Sequence, residues 1–178
     1  MLKEYVMKSK SFYAQIDFRN VDPESDYEFF TQVRHDSSFY LDDARNFYDF
    51  EVKDFLEKNH SDYRIVCIRG EPAGYLRQKK IDHVRDKVQS VGLDLALKFR
   101  GKGYAKPIYH ILLEDFKQNG LPIVLWVLDF NFRAISLYSQ LGFKEVERCI
   151  FIQNGSKKSC EKIMLRYDYE ETAVPLDL

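Results

Sequence analysis

Thiols and imidazoles are scarce in this chain: three cysteines and four histidines among 178 residues. An odd set of widely spaced cysteines (Cys67, Cys149, Cys160), two of them in runs that read as strands, is no disulfide framework. Ordinary buried or half-buried thiols are expected. His35, His60, His83 and His110 never fall at metal-ligand spacing, so no metal site is expected. Long apolar runs are missing too. Nothing is long enough to span a bilayer, and Met1 to Lys10 mixes Lys, Glu and apolar residues without the apolar stretch of a secretory signal. A cytoplasmic location is the expectation. Charge of one sign is also lacking, with 27 Lys plus Arg against 28 Asp plus Glu and a net charge of −1. No overall field would hold such a chain on nucleic acid or an anionic membrane, so partners must be recognised by a local site. No internal repeat or low-complexity segment interrupts the sequence.

Apolar material is plentiful, at 45% of residues with 15% aromatic, and 31% charged residues supply a wet surface. One core, and a single domain over 1–170 followed by a mobile tail at 171–178, fits that length. Tyr13 to Arg19 alternates as a strand. Pro23 opens a helix through Phe29, Phe30 and Val33, and a second helix is expected from about Asp43 to Lys58. Tyr63 to Ile68 and Ala73 to Gln78 flank the breaker Gly70-Glu71-Pro72 and predict a hairpin, and Val88 to Leu97 follows as a longer strand. Between Gly103 and Lys117, Ile108, Ile111, Leu112 and Phe116 recur at helical spacing, with Asn119-Gly120 as a left-handed stop. Ile123 to Val127 is an apolar strand of the doubly buried kind. A helix from Asn131 to about Gln140 stops at Gly142, and Phe143 to Ile152 and Ser159 to Tyr167 close the chain around the hairpin signal Asn154-Gly155. The order predicts a mixed α/β fold: a mostly antiparallel sheet of about seven strands flanked by about four helices.

The run Arg100-Gly101-Lys102-Gly103-Tyr104-Ala105 lies where a strand ends and an amphipathic helix begins. Such a turn aims unpaired N–H groups at one point, the helix dipole adds positive potential there, and the two glycines allow close approach by a pyrophosphate. Arg100, Lys102 and Lys106 would add cationic donors. Taken alone, the run reads equally well as a surface turn. A Rossmann turn is excluded because its third glycine would fall at Lys106, and a P-loop because Gly-Lys-[Ser/Thr] is absent.

Arg100-x-x-Gly103-x-Ala105 resembles the [Gln/Arg]-x-x-Gly-x-[Gly/Ala] signature of the GCN5-related N-acetyltransferase (GNAT) family. The run Asn131-Phe132-Arg133-Ala134-Ile135-Ser136-Leu137-Tyr138-Ser139-Gln140-Leu141-Gly142-Phe143 is similar to that family's second motif, Asn-x-x-Ala-x-x-Leu-Tyr-x-x-x-Gly-Phe. The resemblance implies an acyl-CoA N-acyltransferase fold and acetyl-CoA as co-substrate, with no metal. It implies that backbone near Leu93, Asp94 and Leu95 lines the pantetheine and acetyl carbonyl where that strand splays from the next. Arg100, Gly101, Lys102, Gly103, Tyr104, Ala105 and Lys106 would hold the pyrophosphate. Asn131 would contact coenzyme A besides capping its helix, and Tyr138 would be the general acid on the departing sulfur. Asp94 is the best-placed carboxylate for the general base, ahead of Glu71 and His83.

In this family the acceptor site is usually shaped by the first two helices and their connection, here 34–50. Residues 36–62 carry eight acids against three bases, a local balance of −5, interleaved with aromatics such as Phe39, Tyr40, Phe47 and Tyr48. An acidic, aromatic rim suits a cationic amine, and equally describes a solvated helix face. The expected reaction is acetyl transfer to a primary amine of a small molecule, an amino sugar or polyamine-like compound. Protein N-terminal or lysine acetylation and a non-catalytic acyl-CoA sensor are the alternatives. A homodimer through the closing strands is a further expectation from the resemblance.

Overall fold

The computed structural model describes residues 15–37, 49–83, 86–152 and 159–169. Strand β1 (Ile16–Asn20) leads into α1 (Pro23–Ser37) and α2 (Asp49–Asn59), followed by β2 (Tyr63–Ile68), β3 (Glu71–His83) and β4 (Asp86–Leu95). Then come α3 (Ala105–Lys117), β5 (Ile123–Leu128), α4 (Phe132–Gln140), β6 (Lys144–Ile152) and β7 (Ser159–Tyr167). The seven strands form one sheet in the order β1-β2-β3-β4-β5-β7-β6. Every neighbouring pair is antiparallel except β4 with β5. The expected architecture and element order are observed.

Alternation along the strands divides the core. On one face Phe30 and Val33 of α1 and Val52 and Leu56 of α2 pack on Tyr63, Ile65 and Tyr75, with the Phe30 and Tyr75 rings stacked at 4.1 Å. On the other, Ile108, Tyr109, Leu112 and Phe116 of α3 cover Val91, Leu95, Ile123 and Leu125. These side chains, nearly all below a tenth exposed, carry most of the burial energy. Asp22 starts α1 by accepting from the Glu24 N–H at 3.1 Å and the Ser25 hydroxyl at 2.8 Å, which leaves Pro23 in the first turn where its missing N–H costs nothing.

Several boundaries differ from the sequence reading by a few residues, and some expectations fall outside the described residues. Helix α2 is described from Asp49; the expected start near Asp43, the Asn154-Gly155 turn and the tail lie outside the described residues. Strand β3 runs to His83 rather than Gln78, because the charged stretch Lys79 to Asp82 pairs with Lys87 to Ser90 and is held by the ladder without apolar alternation. Strand β4 ends at Leu95, and the chain turns through a short 3₁₀ segment, Leu97–Phe99. Gly120 adopts φ 62° and its N–H bonds the Lys117 carbonyl, the left-handed stop expected after α3. The three cysteines are free thiols. Among the described residues no cluster of His, Cys, Asp and Glu could hold a metal, and no helix is long and apolar enough to cross a membrane.

Candidate active site at the break in the sheet

Strands β4 and β5 pair only through Gln89 with Ile123 and Ser90 with Val124. Beyond Ser90, β4 continues to Leu95 bonded to β3 alone, and β5 continues to Leu128 bonded to β7 alone. The two strands therefore diverge, and alternate backbone groups of Val91 to Leu95 lose the neighbour that would satisfy them. Unpaired N–H groups beside a cleft are donors for a ligand carbonyl or for charge that develops on it. Leu95 is buried and Leu93 packs at the core's edge, so these two contribute backbone, not side chains, to the cleft.

The glycine turn follows the short 3₁₀ segment past the end of β4. Gly101 (φ 71°) and Gly103 (φ 85°) both occupy the left-handed region, which brings the chain round into α3. The helix begins without a side-chain cap, its first bond runs from Ile108 N–H to Tyr104 O, and Pro107 has no N–H to give. The amides around Gly103 to Lys106 are thus left facing outward at the positive end of the dipole. Lys102 and Lys106 are exposed beside them, with Lys106 Nζ 3.4 Å from Gln140 Oε1. Tyr104 turns its ring edge to Phe99 at 6.1 Å and helps to fix the turn. A Cβ at Gly103 would meet nothing within 4 Å, so Gly103→Ala tests backbone geometry alone. We expect its strain, on the order of 1 kcal/mol, to raise the Kd for coenzyme A by about fivefold in calorimetry with little loss of thermal stability.

Arg100 corrects one expectation. Its backbone opens the turn, but its guanidinium does not face a phosphate site: Nε donates to Leu95 O at 2.6 Å, and the other nitrogens to Asp36 O at 3.0 Å and Ser37 Oγ at 2.7 Å. The Asp36 carbonyl and the Ser37 hydroxyl lie in the last turn of α1, and a planar fork reaches both of them and Leu95 O at once, as a point charge would not. The motif position was legible; the direction of its side chain was not.

Tyr138 projects from α4 with its hydroxyl 3.1 Å from that of Tyr109 on α3, the rings meeting edge to face at 5.2 Å, and with the buried Phe143 5.7 Å away. Burial pushes the Tyr138 phenol up to about 12; the hydrogen bond from Tyr109 opposes this and the charge of Asp94 adds to it. Tyr138 is therefore protonated at neutral pH, and Asp94 lies close enough to be felt at its hydroxyl. Asn131 accepts from Ala134 N–H at 3.3 Å and caps α4.

Asp94 sits near the end of β4 on the face covered by α1. Burial raises its carboxyl above the ordinary 3.8, while Ser37, Tyr75, Arg34 and Arg100 pull it back. The Tyr75 hydroxyl is buried beside it without a well-aligned bond. Because the raised value means that the folded state favours the neutral acid, this group's stabilising contribution is complete below the unfolded value and is lost as pH rises through the folded one. Asp94→Asn is therefore expected to melt at a higher temperature than the parent at pH 7, with the difference vanishing in acid, as read by melting curves across pH.

The two weaker base candidates are set apart. His83 faces Asp86 at the far end of β4, eight positions from the Asp94 and Tyr75 pair, roughly 27 Å of strand. Glu71 is exposed and paired with Lys98 at 2.7 Å. Sequence reasoning missed two other positions. Gly74 lies opposite Leu95 in β3, where an interior strand glycine signals close backbone approach. Tyr109 falls beside the apolar stripe of α3, and only its phenol distinguished it from ordinary core.

The sequence matches the model of the family described as "Acetyltransferase (GNAT) family" over residues 23–143. The chain belongs to that family. The match spans α1 to the start of β6 and so includes both the glycine turn and Tyr138. No curated protein sequence matches the chain. Among solved structures this GNAT chain is similar to a GNAT acetyltransferase from Bacillus anthracis, with TM-score 0.73, 17% identity, and coverage of 88% of this chain and 96% of that one. It is also similar to the ribosomal-protein-alanine N-acetyltransferase from Brucella melitensis (TM-score 0.72, 13% identity, 86% and 99% covered). A third is the microcin C7 self-immunity acetyltransferase MccE in complex with acetyl-CoA and AMP (TM-score 0.71, 15% identity, 87% and 93% covered). At these identities the likeness is one of fold.

Proposed function

We propose that this GNAT protein transfers the acetyl group of acetyl-CoA to a primary amine of a small molecule by direct attack, with both substrates bound together. The observation that carries the reading is the gap between β4 and β5, which has Asp94 on its β4 side, Tyr138 packed in the same cluster as Leu93 and Leu95, and the Gly101 and Gly103 turn beyond the end of β4. The turn suits a pyrophosphate and the unpaired β4 backbone suits a thioester carbonyl, so the residues present fit acetyl-CoA. The co-substrate supplies a thioester whose carbonyl carbon is open to an amine. N–H groups near Leu93 to Leu95 receive the charge that develops on the carbonyl oxygen. Tyr138 delivers its proton toward the sulfur as the carbon–sulfur bond breaks. Since a phenol near 12 is a far weaker acid than a free thiol of about 8.5, the proton moves only as charge builds on the leaving sulfur. Asp94, on the opposite face from α3, is placed to take the amine's surplus proton directly or through water.

The acidic, aromatic segment 36–62, which follows the Arg100 contacts at Asp36 and Ser37, supports a cationic small amine as acceptor. The neighbour that acts on a ribosomal protein keeps a peptide amine as the second reading. The proposal includes a cytoplasmic enzyme of one domain, 1–170, and a homodimer in which the exposed Ile150 and Ile152 of the edge strand β6 take part.

Free thiol released from acetyl-CoA, measured against glucosamine, spermidine, an alanine-terminated peptide and a lysine peptide, tests the reading. Release with either of the first two is expected. Reaction with peptides alone would overturn the small-amine acceptor, and coenzyme A binding without release by any amine would make the protein a sensor.

A further inference from the structure

Tyr109 has no part in the reaction as described, yet its placement is unusual for a core tyrosine. It lies on the first turns of α3, 1% exposed, packed edge-on against Phe143 at 6.4 Å and against Tyr138 at 5.2 Å. A purely structural role there would suit phenylalanine, which has the same ring and no polar atom to desolvate. The Tyr109 hydroxyl instead meets the Tyr138 hydroxyl at 3.1 Å.

We propose that Tyr109 is a positioning residue for acetyl transfer: its hydroxyl donates to the Tyr138 oxygen and so leaves the Tyr138 proton free to point into the gap between β4 and β5. The direction follows from counting protons. Each hydroxyl has one. If Tyr138 donated to Tyr109, the Tyr109 proton would be left to find another acceptor in the packed interior, and Tyr138 would have none to give to a leaving group. With Tyr109 as donor the proton of the fully buried residue is satisfied, and Tyr138, the less buried of the two residues, keeps its own for the cleft. Burial, then the Tyr138 neighbour, holds Tyr109 well above the ordinary phenol value, so it stays a donor throughout the reaction. The same contact draws Tyr138 downward against the effect of burial.

This inference rests on Tyr138 acting as the acid. In the step, the amine nitrogen bonds to the acetyl carbon, the carbon–sulfur bond breaks with its electron pair going to sulfur, and the Tyr138 proton passes to that sulfur. The electron density left on the Tyr138 oxygen is met by the Tyr109 O–H. The amine's surplus proton leaves through the base to solvent, and Tyr138 is reprotonated from solvent. Amine and thioester have become amide and thiol.

A double-mutant cycle tests it, using parent, Tyr109→Phe, Tyr138→Phe and the double variant, with acetyl-CoA and the fastest amine of the panel. Where no amine reacts, hydrolytic thiol release from acetyl-CoA serves as the probe. Tyr109→Phe is expected to lower kcat about tenfold with the KM for acetyl-CoA within about twofold, and to change kcat by less than about twofold once Tyr138 is already Phe. Melting curves establish folding, and Tyr109→Met, which fills the site without a hydroxyl, replaces the Phe variant if that one is unstable. Full activity of Tyr109→Phe, or an equal loss in both backgrounds, overturns the positioning role while leaving Tyr138 as the acid. An unimpaired Tyr138→Phe overturns the acid assignment, and this inference with it.

Discussion

Tyr138→Phe is expected to lower kcat by about two orders of magnitude, at the lower end of what general acids contribute, with the KM for acetyl-CoA changed by less than about twofold. The ring remains, so its contacts with Tyr109 and Phe143, at 5.2 and 5.7 Å, persist and the fold is preserved. What disappears is the Tyr138 hydroxyl, and with it the proposed proton donor to the departing sulfur. An interaction made only while the bond is breaking shows in kcat and not in ground-state binding. A thioester whose thiol is more acidic than that of coenzyme A should lose less, because its sulfur needs less help. Steady-state kinetics of the two proteins with two such donors reads both effects. Equal turnover from pH 6 to 9 would remove the acid role.

Gly74→Ala should be the most damaging glycine-to-alanine change among the described residues. An added Cβ would lie 2.1 Å from Asp94 O and 2.9 Å from both Leu95 Cα and Leu95 Cδ2. Two of these atoms are backbone, so no rotamer change relieves the clash, and β3 and β4 must part. Overpacking of this kind costs about 3 kcal/mol, and at roughly 2 to 4 °C per kcal/mol for a chain of this size the melting temperature should fall by about 10 °C. The strand displaced is the one whose backbone is proposed to face the thioester, so activity of the folded fraction should drop too. Calorimetry together with kcat normalised to folded protein separates the two losses. A variant that melts like the parent would mean that the ladder between Gly74 and Leu95 is looser than its register indicates.

Much of the site was legible because chemistry and element boundaries coincide. Gly101, Gly103 and Ala105 stand where the chain turns into α3, and Tyr138 stands one helix later at a fixed distance from Gly142 and Phe143, so the family's two motifs, more than local pattern, singled them out as site candidates. Long-range contacts were not legible. The guanidinium of Arg100 reaches 64 residues back to Asp36, and nothing near position 100 indicates that the last turn of α1 will arrive there with acceptors for it. The hydroxyl pair of Tyr109 and Tyr138 depends on how α3 and α4 settle on one sheet face. The length of β3 was misjudged for the opposite reason: Lys79 to Asp82 has no apolar rhythm, and only pairing with β4 keeps it extended.

The Arg100 contacts carry a consequence for engineering. The family signature admits glutamine at this position, but a glutamine is too short and too poor in donors to bridge Leu95, Asp36 and Ser37 at once. What looks like a free choice within the motif is, in this chain, bound up with the stem of the segment that precedes the acceptor rim. Replacing the sequence after Ser37 to change the proposed acceptor specificity would therefore bear on the glycine turn as well, and a graft that preserves Asp36, Ser37 and Arg100 as a unit keeps these contacts intact.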